Sequence, residues 1–172
     1  MVTLDARDLG HRVPGRVTRR YTSDDLRWAN GLLARTTGRL RIRRGVLVDT
    51  AVLPGLVTLD GDYPTGLVTV LRHHDELELA VLAATPGDDL TLSALIDAAV
   101  SRAGENCRRV WAVCSNAEFA LQRILQVEGF RLCAARAGAI EAAVARMPQG
   151  QLVSEIDGVP VRDELEFDLL LR

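Results

Sequence analysis

Three apolar runs separated by two short polar breaks constrain the fold of this chain most strongly. The runs cover residues 56–59, 66–71 and 76–84, which are typical strand lengths. An Asp-Gly-Asp turn signal at residues 60–62 separates the first two runs, and the polar residues 72–75 separate the second and third. The sequence therefore predicts an antiparallel meander of three strands.

The third of these strands has a clear alternation. Leu77, Leu79 and Val81 alternate with Glu76 and Glu78 at its start. Because successive side chains of a strand point to opposite faces, we expect the three apolar residues on one face and the two glutamates on the other. An apolar sheet face must be covered, so helices are expected to pack on it.

Apolar residues at helical spacing predict three main helices around the meander. The first covers residues 24–34. The second follows Asp88 and Asp89, either of which can cap its N-terminus, and the third begins at Asn116 and ends before Gly129.

Further apolar runs complete the predicted fold. They indicate strands at residues 16–20, 110–114, 130–134 and 164–171. This order of elements indicates an α/β protein with a central mixed, mostly antiparallel sheet and helices on both faces. We expect one domain over residues 16–172, preceded by an N-terminal extension over residues 1–15.

Composition excludes several functions. All 21 basic residues are arginine, which rules out lysine Schiff-base chemistry and a P-loop. A net charge of −2 argues against general nucleic-acid binding. No run approaches the roughly 20 apolar residues of a membrane-spanning helix. Residues 1–10 do not resemble a secretory signal, so we expect a cytoplasmic protein.

The thiols and imidazoles do not suggest a metal site. Cys107, Cys114 and Cys133 lack the spacing of zinc ligands and lie in or beside apolar runs, so we expect buried thiols. His73 and His74 are neighbours in a predicted turn, where they would point in opposite directions without a carboxylate or thiol to complete a ligand set. We therefore predict no metal.

The stretch from Val110 to Leu132 has the most specific pattern in the sequence. Its strand reads Val-Trp-Ala-Val-Cys-Ser-Asn and is followed by an amphipathic helix and then by Glu-Gly-Phe-Arg-Leu. This pattern resembles the fifth strand, fourth helix and sixth strand of the GNAT acetyltransferase superfamily. Leu-Pro-Gly at residues 53–55 and the tail at residues 157–164 are similar to one branch of that superfamily. The resemblance implies a GNAT-like fold.

The resemblance also implies a binding site for acetyl-CoA or another acyl-CoA where the fourth and fifth strands separate. Backbone groups of Val81, Leu82 and Ala83 would hold the pantetheine arm. Gly87 would begin the turn that binds the diphosphate at a helix N-terminus. The family's turn has Gln or Arg and two small residues, whereas this turn reads Gly-Asp-Asp-Leu-Thr-Leu and lacks all three. The donor site is therefore atypical.

Asp88 and Asp89 also place negative charge in that turn. Two unit charges about 5 Å apart repel by roughly 3 kcal/mol at an effective dielectric near 20, which costs on the order of a hundredfold in binding. The alternative is that both aspartates only cap the following helix.

The catalytic positions of the family are only partly filled. The resemblance implies a glutamate on the fourth strand as general base, and Glu76 and Glu78 both lie on the required face; the alternative is that both are solvent-exposed. The tyrosine that often protonates the leaving thiolate is replaced by Leu125, and an asparagine by Glu118. Asn116 remains either as a cofactor contact or as an N-cap.

An arginine-rich segment follows the first predicted helix. If Arg39, Arg41 and Arg43 share one strand face, they can bind an acidic ligand in the acceptor groove. The alternative is a solvated rim of the protein.

Two functions remain open. The first is an N-acetyltransferase-like enzyme that transfers an acetyl or acyl group from acyl-CoA to an amine, with Glu76 or Glu78 as the base. The alternative is a non-catalytic GNAT-fold module for ligand binding or subunit association. The expected partner is a small-molecule amine or an acidic ligand, not nucleic acid or membrane, and a homodimer is the assembly to test.

Overall fold

A seven-stranded sheet lies at the centre of the protein in a computed structural model, which describes residues 15–146 and 152–171. In chain order, the strands are β1 (Arg16–Arg20), β2 (Leu40–Arg43), β3 (Val46–Asp49), β4 (Gly55–Asp60), β5 (Tyr63–His73), β6 (Glu76–Ala84), β7 (Arg109–Ser115), β8 (Arg131–Arg136), β9 (Glu155–Ile156), β10 (Val159–Pro160) and β11 (Glu164–Leu170). The sheet has the order β1-β4-β5-β6-β7-β11-β8, and only β6 and β7 run parallel. The predicted mixed, mostly antiparallel sheet is confirmed.

Helices cover both faces of this sheet, as predicted. They are α1 (Leu26–Ala34), α2 (Asp89–Ser101), α3 (Phe119–Val127) and α4 (Ala139–Val144). Leu95 of α2 and Leu125 of α3 are fully buried in the larger core on one face. Leu33 of α1 is fully buried against Leu67 and Val81 on the other face.

A β-bulge at Ala80 changes the direction of the side chains in β6. Consecutive residues of β5 pair with Leu79 and with Val81, so Ala80 is left out of the ladder. The extra residue turns Val81 towards α1, whereas Leu77 and Leu79 pack in the core under α2. The prediction that all three share one face is therefore wrong, because the sequence pattern does not reveal the bulge.

The same bulge marks the point where the middle of the sheet opens. β6 and β7 pair only from Glu76 to Leu79, opposite Arg109 to Ala112. Beyond Ala80, β6 continues to pair with β5, and β7 continues to pair with β11. The two parallel strands therefore separate and leave a cleft between them.

Two short hairpins lie outside the main sheet and were not predicted. The β2–β3 hairpin turns at Arg44 and Gly45, which both have positive φ. Arginine is an uncommon residue in such a turn, so the sequence carried little turn signal there. The β9–β10 hairpin lies within the turn-rich connection before β11.

Other local predictions need correction. Helix α3 begins at Phe119, not at Asn116, and Asn116 is not its N-cap. Cys107 and Cys114 are buried as predicted, but Cys133 is exposed. Apart from Gly15, the predicted N-terminal extension lies outside the described residues, and its boundary stays a prediction.

Candidate functional site

The opening between β6 and β7, here called the cleft, is the candidate site. It has a volume of about 260 Å³. Leu82, Ala83 and Ala84 of β6 form one wall, and the segment from Ala117 to Leu121 forms the other. In the described part of the chain, β5 is the only strand that pairs with the β6 wall. Every second residue of this edge therefore points its N–H and C=O groups away from β5 and towards the cleft.

Arg43 closes the inner end of the cleft. Its guanidinium donates hydrogen bonds to the carbonyl oxygen of Ala80 and, over 3.3 Å, to that of Val113. These are the first residues of β6 and β7 that no longer pair with each other. A third bond reaches the Leu79 carbonyl oxygen over 3.1 Å. The side chain therefore bridges the two strands where they begin to separate.

Glu78 balances the charge of this buried arginine. One of its carboxylate oxygens accepts a hydrogen bond from Arg43 Nε, and the other lies 2.8 Å from Nε2 of His73. Burial lowers the pKa of Arg43, and the charge of Glu78 opposes that effect. Glu78 is thus buried and paired rather than solvent-exposed.

Arg41 and Glu118 form a second buried pair beside the cleft. Two parallel hydrogen bonds of 2.8 and 2.7 Å join the guanidinium to the carboxylate, which also accepts a 2.6 Å bond from the Ser115 backbone N–H. Burial acts to raise the pKa of Glu118, but Arg41 and the Ser115 N–H hold it below its usual value. Glu118 lines the cleft, and sequence reasoning identified it only as a departure from the family pattern.

The mouth of the cleft lies at the N-terminus of α2. Of the two predicted caps, Asp88 is the N-cap of this helix and Asp89 is its first residue. The Asp88 carboxylate accepts hydrogen bonds from Thr91 N over 3.2 Å and Thr91 Oγ1 over 2.7 Å. Its carboxylate also pairs with Arg16 at 2.5 Å. Although partial burial acts to raise the pKa of Asp88, its bonds to Arg16 and Thr91 lower it.

Asp89 pairs with Arg123 of α3 at the same mouth. Each aspartate therefore has a cation as partner. The repulsion of a bound phosphate, which was predicted for unpaired aspartates, is consequently an overestimate. The α2 N-terminus is nevertheless unlike an open anion site, because Asp88 already occupies the Thr91 N–H.

The ion pairs around the cleft form two groups, one at its mouth and one at its inner end. The mouth pairs are Arg16–Asp88 and Arg123–Asp89, and the inner pairs are Arg43–Glu78 and Arg41–Glu118.

Only some of the residues predicted to bind the cofactor line the cleft. Leu82, Ala83 and Gly87 line the cleft. Val81 instead packs towards α1. Asn116 uses its side chain to hold the segment before β11, donating to the Pro160 carbonyl over 3.0 Å and accepting from the backbone N–H groups of Arg162 and Asp163.

The predicted catalytic glutamates share one face of β6 but do not line the cleft. Arg43 lies between Glu78 and the opening of the strands. Glu76 lies nearer the start of β6 and pairs with Arg109 at 3.4 Å. Leu125, at the family's tyrosine position, is fully buried in the larger core and contributes nothing to the cleft.

The three arginines predicted to bind substrate do not form one exposed face. Arg39 precedes β2 and pairs with Asp49 at 2.5 Å. Arg41 and Arg43 point inwards because each neutralises a buried carboxylate. All three guanidinium groups are therefore already engaged.

No group of three or more histidine, cysteine, aspartate or glutamate side chains in residues 15–146 and 152–171 could hold a metal ion. Within the same ranges, no helix is long and apolar enough to cross a membrane.

No protein-family profile matches the chain, and no curated protein matches it by sequence. Solved structures do match. An acetyltransferase from Bacillus subtilis in complex with CoA is 16% identical, with a TM-score of 0.66 over 91% of this chain and 98% of that one. A GNAT family acetyltransferase from Elizabethkingia anophelis with acetyl-CoA bound is 11% identical, with a TM-score of 0.62 over 91% and 99%. A mutant spermidine N-acetyltransferase from Vibrio cholerae is 12% identical, with a TM-score of 0.64 over 91% and 94%.

Proposed function

We propose that the cleft binds the pantetheine arm of an acyl-CoA and that the protein transfers the acyl group to an amine. The chain has the fold of the GNAT acetyltransferases. One observation carries this proposal: β6 keeps an unpaired edge beyond Ala80, and that edge lines a cleft of about 260 Å³ ending at a helix N-terminus. The similar structures from Bacillus subtilis and Elizabethkingia anophelis contain CoA and acetyl-CoA, respectively, which supports the same choice of ligand.

The chemistry of the walls suits a pantetheine arm. Its two amides can pair with the free backbone groups of Leu82 to Ala84, as an added strand would. Its methylene and methyl groups would contact Leu92, Ala117 and Leu121 on the apolar walls.

The mouth suits the diphosphate less well. The Thr91 N–H is occupied by Asp88, so a phosphate there must displace that carboxylate or bind further out. A phosphate could bind Arg16 or Arg123 in place of the paired aspartate. That aspartate would then lose its partner. We therefore propose an atypical donor site that holds the arm more firmly than the diphosphate.

Acyl transfer in this cleft needs little help with the leaving group. The amine nitrogen attacks the thioester carbonyl carbon, the C–S bond breaks, and sulfur leaves with the electron pair. A thiol has a pKa near 8.5, so the thiolate can depart and take a proton from water without a tyrosine at the Leu125 position. The amine must lose a proton to solvent, because Glu118 is the glutamate in the cleft wall and its lowered pKa makes it a weak base.

A second function is favoured by the closure at Arg43. This arginine separates Glu78 from the cleft, so the strand glutamates are not placed to deprotonate an amine bound there. Under this alternative, the protein binds the same ligand without transferring its acyl group.

Calorimetry with CoA and acetyl-CoA tests both functions, followed by a thiol-release assay with simple amines. We expect binding, and transfer whose rate rises with pH as the neutral amine becomes more abundant. An Ala120→Trp substitution places an indole in the cleft wall and should weaken binding at least tenfold, whereas Gln126→Trp on the exposed side of α3 should not. Binding without transfer would support the second function. No binding at millimolar CoA would contradict both.

A further inference from the structure

A small chamber adjoins the inner part of the cleft, behind the Arg41–Glu118 pair. Its volume is about 30 Å³, which is room for one or two waters or for one small functional group. Thr37, Glu118 and Ile156 line both the chamber and the cleft, so the two spaces share a wall. Leu40, Ile140 and other aliphatic side chains form the rest of the chamber.

Three buried polar atoms in this chamber lack a hydrogen-bond partner among the described residues. They are Arg41 Nε, Thr37 Oγ1 and Ser115 Oγ. The Arg41 and Ser115 residues are only 8% and 3% exposed. The Ser115 hydroxyl also helps to lower the pKa of the neighbouring Glu118 carboxylate, although its oxygen is not in hydrogen-bonding geometry with that group. Because buried polar groups in folded proteins are nearly always hydrogen-bonded, three such atoms around one space indicate that something polar occupies it.

The available atoms define what that group can be. Arg41 Nε is a donor only, and the two hydroxyls can donate or accept, so the set best matches a group that accepts hydrogen bonds. Among the described residues that line the chamber, Arg41 and Glu118 carry the charges, and they already neutralise each other through two hydrogen bonds. A third charge would leave this buried space with a net charge, which is costly in a desolvated site. The chamber therefore favours a neutral ligand group.

We infer that the chamber is a specificity site for a neutral hydrogen-bond-accepting group, an amide or a hydroxyl, on the substrate that enters the cleft. Water satisfies the same three atoms until that group displaces it. Assigning the group to the amine acceptor rests on the proposed function, since the chamber lies on the far side of Glu118 from the mouth. The binding preference itself needs only the chamber.

Three molecules of the same size and shape test the preference for neutrality. Formamide, formate and formamidinium have the same heavy-atom framework but carry charges of zero, −1 and +1. Each would be titrated into the full-length protein without CoA, with the Arg41 Nε–H signal followed by ¹H–¹⁵N NMR. We expect formamide to shift this signal with an affinity at least tenfold above those of the two ions. Equal shifts, stronger binding of an ion, or no shift with any of the three would overturn the inference.

Two substitutions separate ligand binding from structural roles. Thr37→Val and Ser115→Ala remove the unpartnered hydroxyls while nearly keeping the side-chain volume. Each should weaken formamide binding several-fold, and Thr37→Val should leave the denaturant midpoint unchanged, because it removes no protein hydrogen bond. Ser101→Ala is the matched control, since Ser101 is exposed at the end of α2 and lines neither the chamber nor the cleft. If the chamber hydroxyls only support the fold, both variants would lose stability and keep their affinity for formamide.

A transfer assay places the chamber relative to the proposed reaction. With acetyl-CoA as donor, 3-aminopropanamide should react with a kcat/KM at least tenfold above those of β-alanine and butylamine, compared at equal concentrations of neutral amine. Formamide binding without any transfer would contradict the proposed function and leave the chamber's preference standing. Transfer that does not distinguish the three amines would contradict the acceptor assignment.

Discussion

The two ends of the cleft use the same chemistry in different surroundings. Both ends hold arginine–carboxylate pairs, but no side chain of the inner pairs is more than 9% exposed, whereas those of the mouth pairs range from 16% to 58%. A buried pair cannot lose one member without leaving an uncompensated charge, whereas an exposed pair can exchange its partner for water, salt or a ligand. The inner pairs therefore fix the shape of the cleft, and the mouth pairs leave its entrance adjustable.

This difference also bears on what can be changed without unfolding the protein. The Arg43 side chain donates hydrogen bonds to backbone carbonyl groups of both β6 and β7 where these strands separate. Asp88 contacts only the first turn of α2 and one partly buried arginine, Arg16. Substitutions at the two ends should consequently differ several-fold in their effect on the free energy of unfolding.

The largest effect is expected for Arg43→Met. It leaves the Glu78 carboxylate buried with His73 as its remaining side-chain partner and removes the donors to three backbone carbonyls, so it should lower the free energy of unfolding by about 3–5 kcal/mol. Urea denaturation measures the change. Combining it with Glu78→Leu should recover most of the loss, since no unpaired buried charge then remains at this position. A loss no larger than that of Arg123→Met at the mouth would contradict the contrast between the two ends.

The next largest effect is expected on the pH dependence of stability at the inner end of the cleft. The folded-state pKa of Glu118 lies below its ordinary value of 4.5, so its stabilising contribution is complete above that pH and is lost as the pH falls through the folded pKa. Glu118→Gln should lower the free energy of unfolding by about 3 kcal/mol at pH 7 and should reduce its dependence on pH below 4.5. Glu141→Gln, at an exposed position of α4, is the control. Parallel pH profiles for Glu118→Gln and the unmodified protein would contradict this account.

The sequence predicted the elements of the fold better than the inner end of the cleft. Strand alternation and helical spacing are local patterns, and they located the meander and the three main helices. The partners in the inner pairs are 35 and 77 residues apart, and no local pattern joins Arg43 to Glu78 or Arg41 to Glu118. Charged residues in an alternating strand normally face solvent, so Arg41 and Arg43 were assigned to a surface that could bind a ligand.

The Ala80 bulge was missed for a related reason. A bulge depends on how two strands pair, and the apolar run across Ala80 reads the same with or without one. The mouth was easier to predict because an N-cap is a local feature. Asp88 and Asp89 were therefore both predicted as candidate caps and Asp88 is the cap, although its pairing with Arg16, 72 residues away, was not foreseen.

At the mouth, the effect on ligand binding should exceed the effect on stability. Asp88→Asn keeps a good N-cap and removes a negative charge, so it should change the free energy of unfolding little and raise the affinity for CoA about tenfold. Asp88→Ala also loses the cap and should cost about 1 kcal/mol of stability. Calorimetry and urea denaturation measure the two effects. An unchanged CoA affinity in Asp88→Asn would mean that this carboxylate does not limit diphosphate binding.

The smallest effect is expected for Arg123→Gln. Its partner Asp89 remains exposed to water when the guanidinium is removed, so the free energy of unfolding should fall by no more than about 0.5 kcal/mol. Loss of a cation at the mouth should still weaken CoA binding two- to threefold at low salt. This difference should vanish in 1 M salt, where the Debye length is about 3 Å, whereas the loss of stability in Arg43→Met should persist because its pair is shielded from solvent. A salt-independent effect of Arg123→Gln would show that burial does not distinguish the two ends in the way proposed.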